Sequence, residues 1–168
     1  MGTDDMIGVE DFAELLRPLF DLVAGRRFDQ ALAGELEDHF PADGEYFGAI
    51  ELACHEAIEA GWMCAEGEGD RRFGRVLEPG PLTRDMSVDV VDVNDKIGPY
   101  HRHPFGEICM VMPVSDGATF DHRPRGWCVY APGTAHHPTV RQRAKTPAHG
   151  TAAGAGKRPA ARRTAARR

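Results

Sequence analysis

The chain has 168 residues, of which 42% are hydrophobic and 27% charged, a balance typical of a soluble protein with a single core. Its apolar runs all fall short of the roughly 18 to 20 residues that a membrane-spanning helix needs, so the pattern predicts no membrane partner. The opening stretch MGTDDMIGVEDF carries acids where a secretory signal carries basic and then apolar residues, and we therefore expect a cytoplasmic protein.

The net charge of −6 is unevenly distributed along the chain. Residues 141–168 contain nine Lys or Arg and no acid, whereas residues 1–140 contain 11 basic and 26 acidic residues. An acidic body of this kind repels phosphate groups, so we expect no nucleic-acid partner. The four cysteines form no CxxC pair, which excludes a zinc ribbon. Cys109 and Cys128 stand among apolar neighbours and are predicted to be buried, unreactive thiols.

Three segments predict helices in a region that we place at residues 1–68. Residues 8–25 carry apolar side chains at helical spacing, with a kink or restart expected at Pro18. Residues 27–40 and 45–62 repeat the pattern, and the last helix is expected to end at Gly61. Its predicted inward side chains include Leu52. Each segment is amphipathic, so the helices are expected to pack against another layer.

The pattern changes to short strands in residues 69–140. Apolar runs recur about every ten residues between Gly and Pro turns, which is typical of a small antiparallel barrel or sandwich. The predicted strands lie within residues 72–81, 85–94, 107–114, 118–124 and 126–133. The predicted fold class is therefore mainly β, with N-terminal helices preceding an antiparallel β-barrel.

Two histidines two residues apart are the first sign of a site. On a strand, His101 and His103 point to the same face, and Glu107 shares that face if the PFG between them does not bulge the strand. Two imidazoles and a carboxylate on one face could bind a metal ion and leave positions open. On its own, however, an HxH pair is more often a pair of polar surface residues. His136 follows a Pro132-Gly133 turn and could supply a further ligand.

These stretches resemble the two motifs of the cupin superfamily. GPYHRHPFGE matches the first motif, and GWCVYAPGTAH is similar to the second, except that its proline is next to the glycine. The resemblance implies a β-barrel with one divalent metal ion bound by His101, His103, Glu107 and His136. Imidazole and carboxylate ligands suit iron, manganese, zinc or nickel. Because cupins commonly pair, a homodimer is expected.

A narrower resemblance covers about residues 10–140. The combination of HPFGEIC with GWCVYAPGTAHHPTV is similar to the 4-hydroxylaminobenzoate lyase family of nitroarene catabolism. Membership implies conversion of 4-hydroxylaminobenzoate to 3,4-dihydroxybenzoate with release of ammonia. The expected partner is thus a small aromatic acid. Two alternatives stay open: a cupin dioxygenase acting on an aromatic acid, and a non-catalytic cupin that binds a small molecule.

Residues for catalysis and substrate binding follow from this chemistry. Glu107 is a candidate either for metal ligand or for catalytic acid and base, because the reaction moves protons. The substrate carboxylate needs a cation, for which Arg84 is preferred, with Arg75, Arg123 and Arg125 as alternatives. Tyr100 and Trp127 are candidates for stacking on the aromatic ring. His137 is expected to point away from His136.

Residues 141–168 depart from the family pattern. They have almost no large apolar side chains, and their Ala, Gly, Pro and Arg content predicts a disordered basic tail. The apolar closing strand of a cupin is missing there, which indicates a divergent or frameshifted C-terminus. The barrel is then expected to have an unpaired edge.

Overall fold

The computed structural model describes residues 7–141 and, for the backbone alone, residues 150–157. Within these ranges four helices precede ten strands. The helices are α1 (Val9–Leu15), α2 (Arg17–Val23), α3 (Gln30–His39) and α4 (Glu45–Glu59). The strands are β1 (Glu66–Glu68), β2 (Arg71–Leu77), β3 (Met86–Val93), β4 (His101–His103), β5 (Glu107–Pro113), β6 (Thr119–Phe120), β7 (Gly126–Tyr130), β8 (Thr134–His136), β9 (Val140–Arg141) and β10 (Gly150–Lys157). None of the described helices has the length and apolar character needed to cross a membrane.

The helix boundaries follow local sequence signals. Pro18 lies in the first turn of α2, where its missing N–H costs no hydrogen bond, so the predicted restart is confirmed. The Asp29 carboxylate accepts a hydrogen bond from the Leu32 amide at 3.0 Å and thereby caps the start of α3. Gly61 follows α4 with a φ of 85°, which favours glycine at a helix end. Leu52 is 59% exposed, so its predicted inward position was wrong.

Six strands form one antiparallel sheet in the order β1-β2-β3-β10-β5-β7. Alternate side chains of β5 point to opposite faces of this sheet. Ile108, Met110 and Met112 of β5 are buried in the same hydrophobic cluster as the helices, whereas Glu107 and Cys109 lie on the opposite face. We call these the helix-facing and site-facing sides. The helices thus cover one side of the sheet, as their amphipathic pattern predicted.

Aromatic contacts join the helices to the sheet. Trp127 on β7 packs edge-on against Phe47 of α4, with ring centroids 5.6 Å apart. Its indole N–H donates to the Phe40 carbonyl at 2.7 Å. The core therefore runs across the predicted boundary between residues 68 and 69. The last helix ends at Glu59 and the first strand begins at Glu66. The division into a helical region of residues 1–68 and a β region of residues 69–140 stays a prediction.

Two small antiparallel sheets lie outside the main sheet. Strand β4 pairs with β8, and β6 pairs with β9. The predicted antiparallel architecture with N-terminal helices is confirmed. The structure does not connect the three sheets into a closed barrel within the described residues, so closure stays a prediction.

The missing closing strand is a prediction that the structure corrects. Residues 150–157 form β10, which pairs with β3 on one side and β5 on the other. The described residues 150–157 therefore lie in the middle of the main sheet as strand β10. Composition misled here because a strand with neighbours on both sides can satisfy its backbone N–H and C=O groups without large side chains. The remaining tail lies outside the described residues, and the frameshift stays a prediction.

Candidate metal centre

Three histidines converge where β4 pairs with β8. The ladder places His101 opposite His136, and His103 lies on the same side of β4 as His101. All three ring centroids are 4.7 Å from one another. One ring nitrogen from each histidine lies within 4.8 Å of the others, a spacing at which all three could bind one metal ion. Three of the four predicted ligands are therefore brought together.

The ring nitrogens that face the centre have few protein partners. The Nε2 atoms of His101 and His136 are 3.1 Å apart. Bonds of about 2.0–2.1 Å to one shared ion would put two imidazole nitrogens roughly 3 Å apart. His103 is buried, and its Nε2 has no hydrogen-bond partner among the described residues. A buried polar atom of this kind needs a partner, and a cation at the centre would provide one.

Glu107 contacts His103 from outside the cluster. Its Oε2 lies 3.0 Å from His103 Nδ1, and its Oε1 accepts a hydrogen bond from the Cys109 thiol at 2.8 Å. The two residues are not on one strand, because the chain turns at Gly106 before β5 begins. Gly106 has a φ of 82°, and a Cβ there would lie 2.8 Å from the Tyr130 carbonyl oxygen. The PFG segment therefore breaks the strand and still brings Glu107 back to His103.

Asp121 contacts His136 in the same way. Its Oδ2 lies 2.5 Å from His136 Nδ1 and accepts a hydrogen bond from the Tyr130 hydroxyl, also at 2.5 Å. The Tyr130 ring stacks on His103 with a centroid distance of 5.0 Å and an interplanar angle of 9°. Because an ionised carboxylate only accepts hydrogen bonds, the facing Nδ1 atoms of His103 and His136 carry the protons. Both Nε2 atoms are then free to bind a metal ion.

The local electrostatics follow from burial and from these pairs. Burial and the neighbouring His103 and His136 charges lower the pKa of His101. Burial alone would raise the pKa of Glu107, but hydrogen bonds from His103 and Cys109 outweigh it and lower that pKa. Burial, reinforced by Glu107, raises the pKa of Cys109 well above its ordinary value. Cys109 and Cys128 are both buried, as predicted, so Cys109 serves as a neutral hydrogen-bond donor.

The other predicted site residues are dispersed. Arg84 forms an exposed ion pair with Asp21 at 3.0 Å. Trp127 lies on the helix-facing side of β7, an odd number of residues from the site-facing Tyr130. Tyr100 is 60% exposed, and its ring lies 5.1 Å from that of His137. Of these three candidates, only Tyr100 contacts a histidine, and that residue is His137, outside the cluster.

Sequence reasoning missed Asp121 and Tyr130. Tyr130 could have been found from its even spacing with Cys128, which places both side chains on one face of a strand. Asp121 gives a weaker signal, because the sequence pattern predicts a strand within residues 118–124. In the structure Asp121 and His122 form a turn with φ values of 48° and 64°. Non-glycine residues in this conformation are uncommon, although Asp and His adopt it more readily than most, and Cys64, Arg84, Asp85 and Asp95 adopt it elsewhere in the described chain.

Comparison with known proteins identifies the family. A family model described as 4-hydroxylaminobenzoate lyase matches residues 14–148, which is most of the chain. The chain belongs to the 4-hydroxylaminobenzoate lyase family. The family resemblance seen in the sequence is thereby confirmed, and all the residues around the histidine cluster fall within the matched region.

Two relatives and one solved structure illustrate the match. A 4-hydroxylaminobenzoate lyase of Nocardioides sp. is 29% identical over 142 residues, which are 79% of this chain and 83% of the relative. The corresponding lyase of Pseudomonas putida is 29% identical over 124 residues, or 63% of this chain and 70% of the relative. An RmlC-like cupin protein from Ralstonia eutropha aligns over 55% of this chain and 60% of its own, with 15% identity and a TM-score of 0.39. That last likeness is too distant to inform the site.

Proposed function

We propose that this protein is a lyase that converts 4-hydroxylaminobenzoate and water to 3,4-dihydroxybenzoate and ammonia, with a divalent metal ion as cofactor. Family membership supports the reaction. The observation that carries the metal is the convergence of three imidazole nitrogens from His101, His103 and His136.

The residues fit a metal ion chemically. Lone pairs on His101 Nε2 and His136 Nε2 facing each other at 3.1 Å repel unless a proton or a cation lies between them. The buried Nε2 of His103 lacks a partner in the described structure. His101, His103 and His136 would hold the ion, which would act as a Lewis acid toward the hydroxylamino group. Imidazole donors suit zinc, iron and nickel.

Glu107 stays a predicted ligand or catalytic acid and base, but its contacts favour a third role. One carboxylate oxygen accepts from His103 Nδ1 and the other from the Cys109 thiol. The carboxylate thereby holds the His103 ring with Nε2 toward the centre. We assign Glu107 first to this orienting role.

Binding of an aromatic acid near the histidine cluster requires an aromatic contact for its ring and a cation for its carboxylate. Tyr100 presents an exposed ring beside His137 and is proposed to pack against the substrate ring. Among the candidate cations, Arg84, Arg75 and Arg125 already pair with carboxylates. Arg123 lies two residues after Asp121 and is proposed to bind the substrate carboxylate through its planar guanidinium group.

The decisive experiment measures ammonia released from 4-hydroxylaminobenzoate under anaerobic conditions. The metal-loaded protein is expected to release one ammonia per 3,4-dihydroxybenzoate without oxygen. His101→Ala should abolish turnover, and His39→Ala, which changes an exposed histidine of α3, should retain it. Full activity of His101→Ala would reject the metal site. A requirement for oxygen would instead support the dioxygenase alternative, and metal binding without turnover would support the binding protein.

A further inference from the structure

We propose that Asp121 is a positioning residue that keeps the Nε2 lone pair of His136 directed at the histidine cluster. The effect of Asp121 on metal affinity rests on the proposed function, whereas its effect on the orientation of the His136 ring does not. Asp121 lies outside both motifs that pointed to the site. The proposal follows from its three hydrogen bonds, its backbone conformation and its link to His103.

The hydrogen bonds of Asp121 define which nitrogen of His136 carries the proton. Oδ2 accepts from His136 Nδ1 and from the Tyr130 hydroxyl, while Oδ1 accepts from the Thr139 amide at 2.8 Å. Both oxygens of the carboxylate are thus used as acceptors. The proton of neutral His136 is therefore held on Nδ1, and Nε2 faces His101 as a lone pair.

A strained turn places Asp121 in this position. Phe120 and Arg123 exchange two backbone hydrogen bonds of 2.9 Å, which closes a two-residue turn at Asp121 and His122. Both turn residues have positive φ, where such turns normally contain Asn-Gly or Asp-Gly. The turn is held against the residue that precedes β9, because the Asp121 amide donates to the Thr139 carbonyl at 2.8 Å. Two non-glycine residues are thus held at positive φ where the chain brings a carboxylate to His136.

Tyr130 extends the influence of Asp121 to a second histidine. The Tyr130 hydroxyl donates to Asp121, and its ring stacks on His103. One carboxylate oxygen therefore orients His136 directly and supports His103 through an aromatic ring. Glu107 contacts the Nδ1 edge of the same His103 ring. Two carboxylates thus orient two of the three clustered histidines.

The substitution Asp121→Asn is diagnostic because of these three donors. Asparagine tolerates positive φ, so the turn can persist. However, its side chain has one oxygen where aspartate has two. If that oxygen accepts from the Thr139 amide, the NH₂ group faces His136 Nδ1 and favours a proton on Nε2. If the side chain flips, two donors meet at Thr139. Either arrangement disturbs the geometry that aspartate satisfies.

The test combines two measurements on wild type, Asp121→Asn and the control Asp116→Asn, which alters an exposed aspartate. The ¹⁵N chemical shifts of the His136 ring are recorded on metal-free protein, with the resonance assigned from a His136→Gln spectrum. Wild type and Asp116→Asn should show the proton on Nδ1, and Asp121→Asn should lose this preference. In zinc titrations, Asp121→Asn should bind zinc about 10- to 100-fold more weakly than wild type and Asp116→Asn do. Tyr130→Phe keeps the Asp121–His136 bond and should retain the proton on Nδ1.

Each outcome separates the two proposals. A wild-type proton on Nε2, or an unchanged proton position together with unchanged zinc affinity in folded Asp121→Asn, would overturn the role of Asp121. In a third outcome, the proton lies on Nδ1 in wild type and leaves it in Asp121→Asn while neither protein binds zinc. That result would uphold the positioning role and reject the metal cofactor. Thermal melting of each variant shows whether the turn still folds.

Discussion

The helix-facing and site-facing sides of β5 and β7 differ in what their residues require. Ile108, Met110 and Val129 lie on the helix-facing side and are buried by apolar contacts that many side chains of similar size could make. Glu107 and Tyr130 lie on the site-facing side, where each depends on a particular hydrogen-bond partner. Substitution on the first side should therefore affect mainly stability. Substitution on the second should affect mainly metal affinity.

The largest expected effect tests the helix-facing side. Phe47 of α4 is fully buried and packs against Trp127 of the sheet. Phe47→Ala should therefore lower the free energy of unfolding by about 3–5 kcal/mol. Urea denaturation measures the change. Leu52→Ala on the same helix is the matched control, because Leu52 is exposed and its truncation should cost less than about 0.5 kcal/mol. Equal losses in the two variants would show that α4 does not pack on the sheet as described.

A substitution on the site-facing side distinguishes two roles for Glu107. Glutamine supplies one acceptor oxygen for the two donors that Glu107 satisfies, so Glu107→Gln should weaken zinc binding about 10- to 100-fold. Glu56→Gln, which changes an exposed residue, should have no effect. Calorimetric titration of the folded proteins makes the comparison. Unchanged affinity would remove Glu107 from the site, and a loss far above 100-fold would support the direct ligand predicted from the motif.

Trp127 tests the boundary between the two sides. Trp127→Phe removes the hydrogen bond to the Phe40 carbonyl and should lower the free energy of unfolding by about 1–2 kcal/mol. The KM for 4-hydroxylaminobenzoate should stay unchanged, because the indole faces the helices. Tyr100→Ala is the contrasting variant and should raise KM with little loss of stability. A raised KM for Trp127→Phe would restore the substrate-binding role predicted from the sequence.

The smallest expected effect concerns pH. Burial raises the pKa of the Cys54 thiol on α4 to about 12, from an ordinary value near 9.0. The unfolded chain therefore loses this proton first as pH rises, so stability is fully present below pH 9 and decreases between about 9 and 12. At pH 9.5 the loss should be about 1 kcal/mol for this thiol.

Comparison of two proteins isolates this contribution. Urea denaturation at pH 7.5 and 9.5 should show a smaller decrease for Cys54→Ala than for wild type, whatever the effect of the substitution at pH 7.5. An identical decrease in both proteins would show that the Cys54 thiol ionises as readily in the folded chain as in the unfolded one.

Much of the helical region could be predicted because its signals are local. The apolar periodicity, Pro18 and Gly61 act within a few residues, and the observed helices follow them. The tail shows the opposite case. Its small residues give no local sign of a strand, yet residues 150–157 pair with β3 and β5. Pairing partners that lie 37 or more residues away in the chain cannot be inferred from local composition.

The site residues also divide into those that local sequence patterns predict and those that only the tertiary structure reveals. The sequence by itself determined that His101 and His103 share a face, because HxH spacing on a strand is a local pattern. The resemblance of PGTAH to the second cupin motif added His136 as a predicted ligand. Only the tertiary structure decided that Glu107 contacts His103, that Trp127 faces the helices, and that Asp121 reaches His136. Hydrogen bonds are short and directional, so which groups meet depends on how β4, β5, β6 and β8 are arranged in space.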